Sequence, residues 1–230
     1  MFCAGAFATA LLLTSCGGSG GGGGTKNDVK FQKTPKNEIL GDLVNISCEY
    51  KAKISASNAE YEEARDKNNE KYADNSDKRK QNWEKLKEQK DKRNKKIMEE
   101  TNAAIEKEMA TLIGKAIPFE CEDGLGFEVV ECKINKVDKL TVPQAANLSL
   151  SFTYKMKPVD AEKVKKFSNL DVVDQYKFVD ASGNVLYENI DMFGNDMLGL
   201  KKGENVEVVR YDVSLGPDMA NFAKIKFVKP

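Results

Sequence analysis

The chain of 230 residues contains no histidine. That absence removes the usual general base near neutral pH, the Ser/His/Asp and Cys/His arrangements of nucleophilic catalysis, and the commonest zinc ligand. Catalysis would have to rest on carboxylates, Lys, Tyr or an external metal, and glycosidase-type carboxylate pairs stay open. Net charge is also lacking, because 36 Lys and Arg balance 36 Asp and Glu. No whole-chain field draws the protein to an anionic surface, and nucleic acid is not expected as a partner. The cysteines show no C-x-x-C spacing, which argues against a thioredoxin-like redox centre or a zinc knuckle. There is a single tryptophan, Trp83.

One apolar run does occur, from Phe2 to Leu13, and it ends in Leu13-Thr14-Ser15-Cys16 followed by Gly17-Gly18. It is too short to span a bilayer and has the form of an export signal. Leucines, then small residues, then Cys16 resemble the lipobox of bacterial lipoproteins. One departure from that pattern is that only Met1 precedes the run, with no Lys or Arg. The resemblance implies that residues 1–15 are a signal peptide, that the Cys16 thiol receives a diacylglyceryl group, and that the new amino terminus is acylated. More than one acyl chain anchors a protein stably. The implied partner is therefore a membrane, and the implied location the bacterial cell envelope, lipid-anchored at the outer membrane. Residues 16–28 would be the lipidated cysteine and a Gly-rich tether, of a composition that remains flexible coil.

About 215 residues follow the cleavage point, enough for one sizeable domain or two small ones. Val44 to Ile54 alternates apolar and polar residues, which predicts a strand, so residues 29–56 read as the first strands of a β body. Residues 57–115 lack proline and are dense in helix formers and charge, which predicts a long helical region. Ala73-Asp74-Asn75-Ser76-Asp77 is its one cluster of turn and cap residues, separating an acidic block from the basic block Lys78–Lys96. An antiparallel hairpin turning there would set Tyr61, Ala64, Asn68 and Tyr72 against Arg79, Trp83, Leu86 and Lys90, with opposite charges side by side. A single extended helix is the alternative.

Residues 116–230 return to period two, with strands expected at Phe127–Ile134, Leu148–Met156, Asp171–Val179, Val185–Glu188, Val206–Leu215 and Lys224–Val228. The fold class is α+β: an antiparallel β-sandwich carrying a long, charged helical insertion. In architecture, though in no signature residue, it is similar to immunoglobulin-like modules.

Cys121 and Cys132 flank the turn-forming Glu122-Asp123-Gly124-Leu125-Gly126 and are the candidate disulfide, the other reading being that these two and Cys48 are small buried hydrophobes. Asp180, Asn184 and the run Asp191–Asp196 offer oxygen ligands, but in no EF-hand spacing, so turn chemistry accounts for them and no metal or cofactor is expected. Asp171 and Asp174 fall on opposite faces of a strand. The basic run Lys85–Lys96 is interrupted by acids and reads as a solvated face. Tyr61, Tyr72 and Trp83 are either contacts for a partner protein or a thin helical seam. The expectation is a non-enzymatic, lipid-anchored envelope protein whose helical region serves interaction or spacing. The alternative is a glycan- or ligand-binding lipoprotein accessory to a transport or degradation system.

Overall fold

The computed structural model describes residues 31–160, 162, 174–191 and 201–229. Two long helices come first, α1 (Leu43–Lys71) and α2 (Ser76–Leu112). Between them the Tyr72 N–H bonds the Asn68 carbonyl, the Asn75 N–H bonds the Tyr72 carbonyl, and the Asn75 side chain accepts the Lys78 N–H at 3.0 Å. Asn75 thus caps α2 in the way short polar side chains favour. The hairpin forms, turning where the sequence clusters its turn residues.

Segment 44–54 is helical and is not the first strand of the sandwich. Its alternation is coincidental. The residues it buries most deeply, Leu43, Ser47, Tyr50, Ile54 and Ser57, recur every three or four positions, and no breaker separates them from the helix formers that follow. Two corrections result. The helices precede every described strand and are not inserted between two of them, and the helical region is not confined to residues 57–115 but starts at Leu43.

The strands are β1 (Phe119–Cys121), β2 (Phe127–Val137), β3 (Ser149–Pro158), β4 (Asp174–Val179), β5 (Val185–Asp191), β6 (Val206–Ser214) and β7 (Lys224–Val228). They form a four-stranded sheet in the order β1-β7-β4-β5 and a three-stranded sheet in the order β2-β3-β6. β1 and β7 are parallel, so the larger sheet is mixed where an all-antiparallel arrangement was expected. Rings hold the sheets face to face: Phe152 of β3 lies 5.2 Å from Tyr176 and 5.5 Å from Phe178 of β4, and Tyr154 lies 4.9 Å from Phe227 of β7. Edge-on ring pairs at these separations add stability beyond the area they bury. A buried Arg210, opposite Phe152 in the ladder, sets its guanidinium 5.9 Å over the Tyr154 ring.

One apolar core runs through helices and sheets, from Leu43, Tyr50 and Ile105 to Ile134, Phe152 and Ile225. Polar bonds join the two parts. The Ser47 hydroxyl accepts the Leu148 N–H at 2.8 Å, and the Tyr50 hydroxyl accepts the Gln144 N–H at 3.0 Å. Asn102 grips Leu140 in both directions, donating to its carbonyl at 2.9 Å and accepting its N–H at 2.8 Å. Lys139 pairs with Glu106 at 2.9 Å, which holds the Glu106 carboxyl below its ordinary range through that hydrogen bond and the lysine charge. The β2–β3 connection is therefore strapped to both helices.

Candidate interaction surface

The seam between the helices changes character along its length. Near the body it is apolar, built on Tyr50, Ile54, Ile97 and Ile105. Beyond Ile54 it becomes polar: Ser57 and Asn94 are buried, Asn94 reaches Asn58 at 3.4 Å, and Asn68 donates to the Arg79 carbonyl at 2.9 Å. The Ser57 hydroxyl and the Asn94 Oδ1 have no hydrogen-bond partner. Buried groups of this kind weaken a seam.

Within this polar stretch the structure brings two of the three expected aromatics together. The Trp83 indole N–H donates to the Tyr61 hydroxyl at 2.5 Å, and the Lys90 ammonium sits 4.5 Å above the Tyr61 ring. Arg93 and Glu60 join the helices one turn further in. Trp83 keeps 48% of its surface exposed. Tyr72 does not join the pair; it lies at the turn with the Lys71 ammonium 5.4 Å over its ring.

The charge blocks behave differently from expectation. Lys53–Glu49, Lys67–Glu63 and Lys92–Glu88 pair at 2.7, 2.8 and 2.7 Å, each four residues apart on one helix. Intrahelical neighbours are closer than residues across the seam, so these ion pairs run along single helices, with Arg93–Glu60 crossing between them.

Cys121 and Cys132 are not bridged; with Cys48 they are thiols. The turn between them does reverse the chain, with Gly124 and Gly126 at φ of 81° and 84°, but it sends the chain into the other sheet. The Val129 N–H, not Cys132, then meets the Cys121 sulfur, while Cys132 points into the core. Burial around the sulfur pushes the Cys121 thiol up, against the lowering effect of that N–H. Asp180 accepts the Ser182 and Asn184 N–H groups at 2.9 and 2.8 Å and the Asn184 amide at 2.8 Å; its carboxylate is held low by those bonds and closes the β4–β5 turn. Among the described residues no group of three or more Cys, Asp or Glu is placed to hold a metal, and no helix is long and apolar enough to cross a membrane. Cys16, Asp171 and residues 192–196 lie outside the described residues.

Two features were not legible in the sequence. One is the strap made by Ser47, Tyr50 and Asn102. The other is a cleft of about 510 Å³ between β1 and the start of β2. No family model, no curated protein and no solved structure matches this chain.

Proposed function

We propose that this is a lipid-anchored envelope protein, non-enzymatic, in which the α1–α2 hairpin is a stiff arm that presents the Tyr61–Trp83 pair to a protein partner. The anchor rests on the resemblance of residues 13–16 to a lipobox. One observation carries the arm: the single tryptophan is half exposed on a hairpin strapped to the body at its base. From Tyr50, at the strap, α1 runs 21 more residues to Lys71, about 32 Å at 1.5 Å per residue. Large aromatic side chains held rigidly away from the core are the groups that interfaces use as anchors.

The immunoglobulin-like likeness belongs to this reading at the level of architecture. Sheets of four and three strands support it, whereas strand order departs from it. A constant-type domain orders its larger sheet first, second, fifth, fourth; here the order is first, seventh, fourth, fifth.

A photo-crosslinking residue in place of Trp83, compared with one at Lys201 on the body, tests the arm in membranes of the native host. A discrete protein adduct at the hairpin alone is expected. Adducts of equal yield from both positions, or adducts to glycan only, would overturn it, the latter in favour of a carbohydrate-binding role. Fatty-acid labelling of wild type and of Cys16→Ala tests the anchor separately; equal labelling of both would refute lipidation at that residue.

A further inference from the structure

One stripe of α2 carries Lys80, Lys87, Asn94 and Thr101, seven residues apart. Thr101 and Asn94 are buried, whereas Lys87 and Lys80 are exposed. A surface that is covered near the body is therefore bare at the far end of the hairpin. Trp83 borders the bare part. Residues three and four apart on a helix are neighbours, so Lys80 and Lys87 stand on either side of Trp83 along the axis, about 10 Å from one another at 1.5 Å per residue. Lys90, over the Tyr61 ring, stands beside them on the seam.

The charge around Trp83 is one-sided. From Ser76 to Lys90 the helix carries six Lys and Arg against three Asp and Glu. Of those acids, Asp77 sits in the first turn of α2, where the positive end of the helix dipole favours it, and Glu88 is engaged by Lys92 at 2.7 Å. Across the seam the acids of α1 are taken as well: Glu60 by Arg93, Glu63 by Lys67, and both Glu62 and Asp66 by Arg65. Lys80 and Lys87 have no ion-pair partner among the described residues. Glu84, within four residues of both, carries one charge for the two of them. A cationic excess therefore surrounds a half-exposed indole.

We infer that the partner of the arm is an acidic protein surface. An apolar side chain of the partner covers Trp83, and Asp or Glu side chains about 10 Å apart, matching two helical turns, lie over Lys80 and Lys87. The inference rests on the reading of the hairpin as an interaction arm. An aromatic anchor supplies affinity, and complementary charge around it selects the partner. A phosphate polymer fits less well, because Glu84, Glu88 and Asp91 interrupt the cations that its continuous charge would follow. Lipid headgroups also fit less well. The chain enters α1 at the base, where Lys33 pairs with Asp42, and Tyr61 lies 18 residues beyond Leu43, about 27 Å along the helix from the end that a lipid tether would hold.

A photo-crosslinking residue at Glu84, with Trp83 left in place, tests this on the full chain in membranes of the native host. The otherwise wild-type chain is compared with Trp83→Ala and with the double variant Lys80→Glu, Lys87→Glu. A discrete protein adduct is expected, with a crosslinked peptide rich in Asp and Glu. Either change should reduce its yield at least about tenfold, a loss typical of an interface anchor. High salt should reduce it too, because exposed charges are screened, whereas Lys80→Arg with Lys87→Arg should retain it. Both lysines are exposed, so their reversal should leave the melt unchanged. An adduct of equal yield after the reversal, or one to a basic or neutral peptide, would overturn the acidic partner and leave the arm standing. Adducts to lipid or nucleic acid that the reversal abolishes would overturn it in favour of that anion. No adduct in any background would overturn the arm and this inference together.

Discussion

Glu108, near the end of α2, closes the start of α1: its carboxylate accepts the Asp42 N–H at 2.8 Å across 66 residues of chain. The same carboxylate lies 3.7 Å from the Lys36 ammonium. Between the two helices at this point is Gly41, at φ 58°, where an added Cβ would run into the Glu108 carboxylate. The substitution Gly41→Ala should therefore destabilise the fold by about 1–3 kcal/mol, the range for a residue forced into strained backbone. Chemical denaturation measures it. Glu108→Ala in the same background should recover part of the loss, because it removes the obstructing group.

Asn102→Ala should detach the strap without emptying the core. Both hydrogen bonds to Leu140 disappear and its N–H is left to find water, a loss of about 2 kcal/mol. Hydrogen exchange at the Leu140 amide should accelerate more than exchange at Leu150, which lies inside β3. Equal protection in mutant and wild type would show that the strap is held by other contacts.

The distal hairpin should be removable. Replacing residues 58–93 by a short glycine turn keeps the apolar seam from Leu43 to Ile54 and from Ile97 to Leu112, and discards a stretch where seam residues are largely polar. Stability should change by no more than about 1 kcal/mol, as for surface changes, whereas Ile54→Ala in the intact chain should lose about 2–5 kcal/mol. A trimmed protein that fails to melt cooperatively would show the arm to be integral to the body.

Asp42 gives the pH dependence a sign. Burial pushes its carboxyl up, but hydrogen bonds from Asn45 and Lys33 and the charges of Lys33 and Lys36 outweigh burial and leave it below its ordinary value. A depressed folded value means that the stabilisation is fully present above about pH 4 and is lost as pH falls through the lower, folded value. Asp42→Asn should therefore flatten the acid limb of a stability profile and leave its slope above pH 5 unchanged. A profile that parallels wild type between pH 2 and 4 would contradict this.

The legible parts of the fold are those that local chemistry determines. Asn75 and its neighbours mark the hairpin turn, alternation from Phe127 to Ile134 marks β2, and helical spacing puts Tyr61 and Trp83 on the facing stripes of the two helices, though not their direct contact. Val44 to Ile54 misleads because its apolar residues satisfy period two while its buried set, completed by Ser47 and Ser57, satisfies period 3.6. A serine does not register as core until its hydroxyl is seen to accept the Leu148 N–H. β1 gives no signal at all: it is three residues long, and its partner β7 is the last strand of the chain. Asn102 and Leu140 are likewise silent, since an amide on a helix does not announce which distant backbone it will meet. The cleft between β1 and β2 arises where the chain passes from one sheet to the other, a property of topology that no window of sequence contains.

Asn37 donates through its side-chain amide to the Ala220 and Phe222 carbonyls, at 3.0 and 2.8 Å, across more than 180 residues. This governs the order in which the molecule can be made. Loop-closure entropy over such a span is repaid only when the far end arrives, so the base of the helices lacks its mate until Phe222 has been synthesised and released. Contacts of such span raise the contact order and slow folding. A nascent chain halted before Phe222 would expose Leu40, Leu43 and Val44 to whatever chaperones wait along its route, and protease sensitivity at that stage should fall abruptly when the final strand emerges.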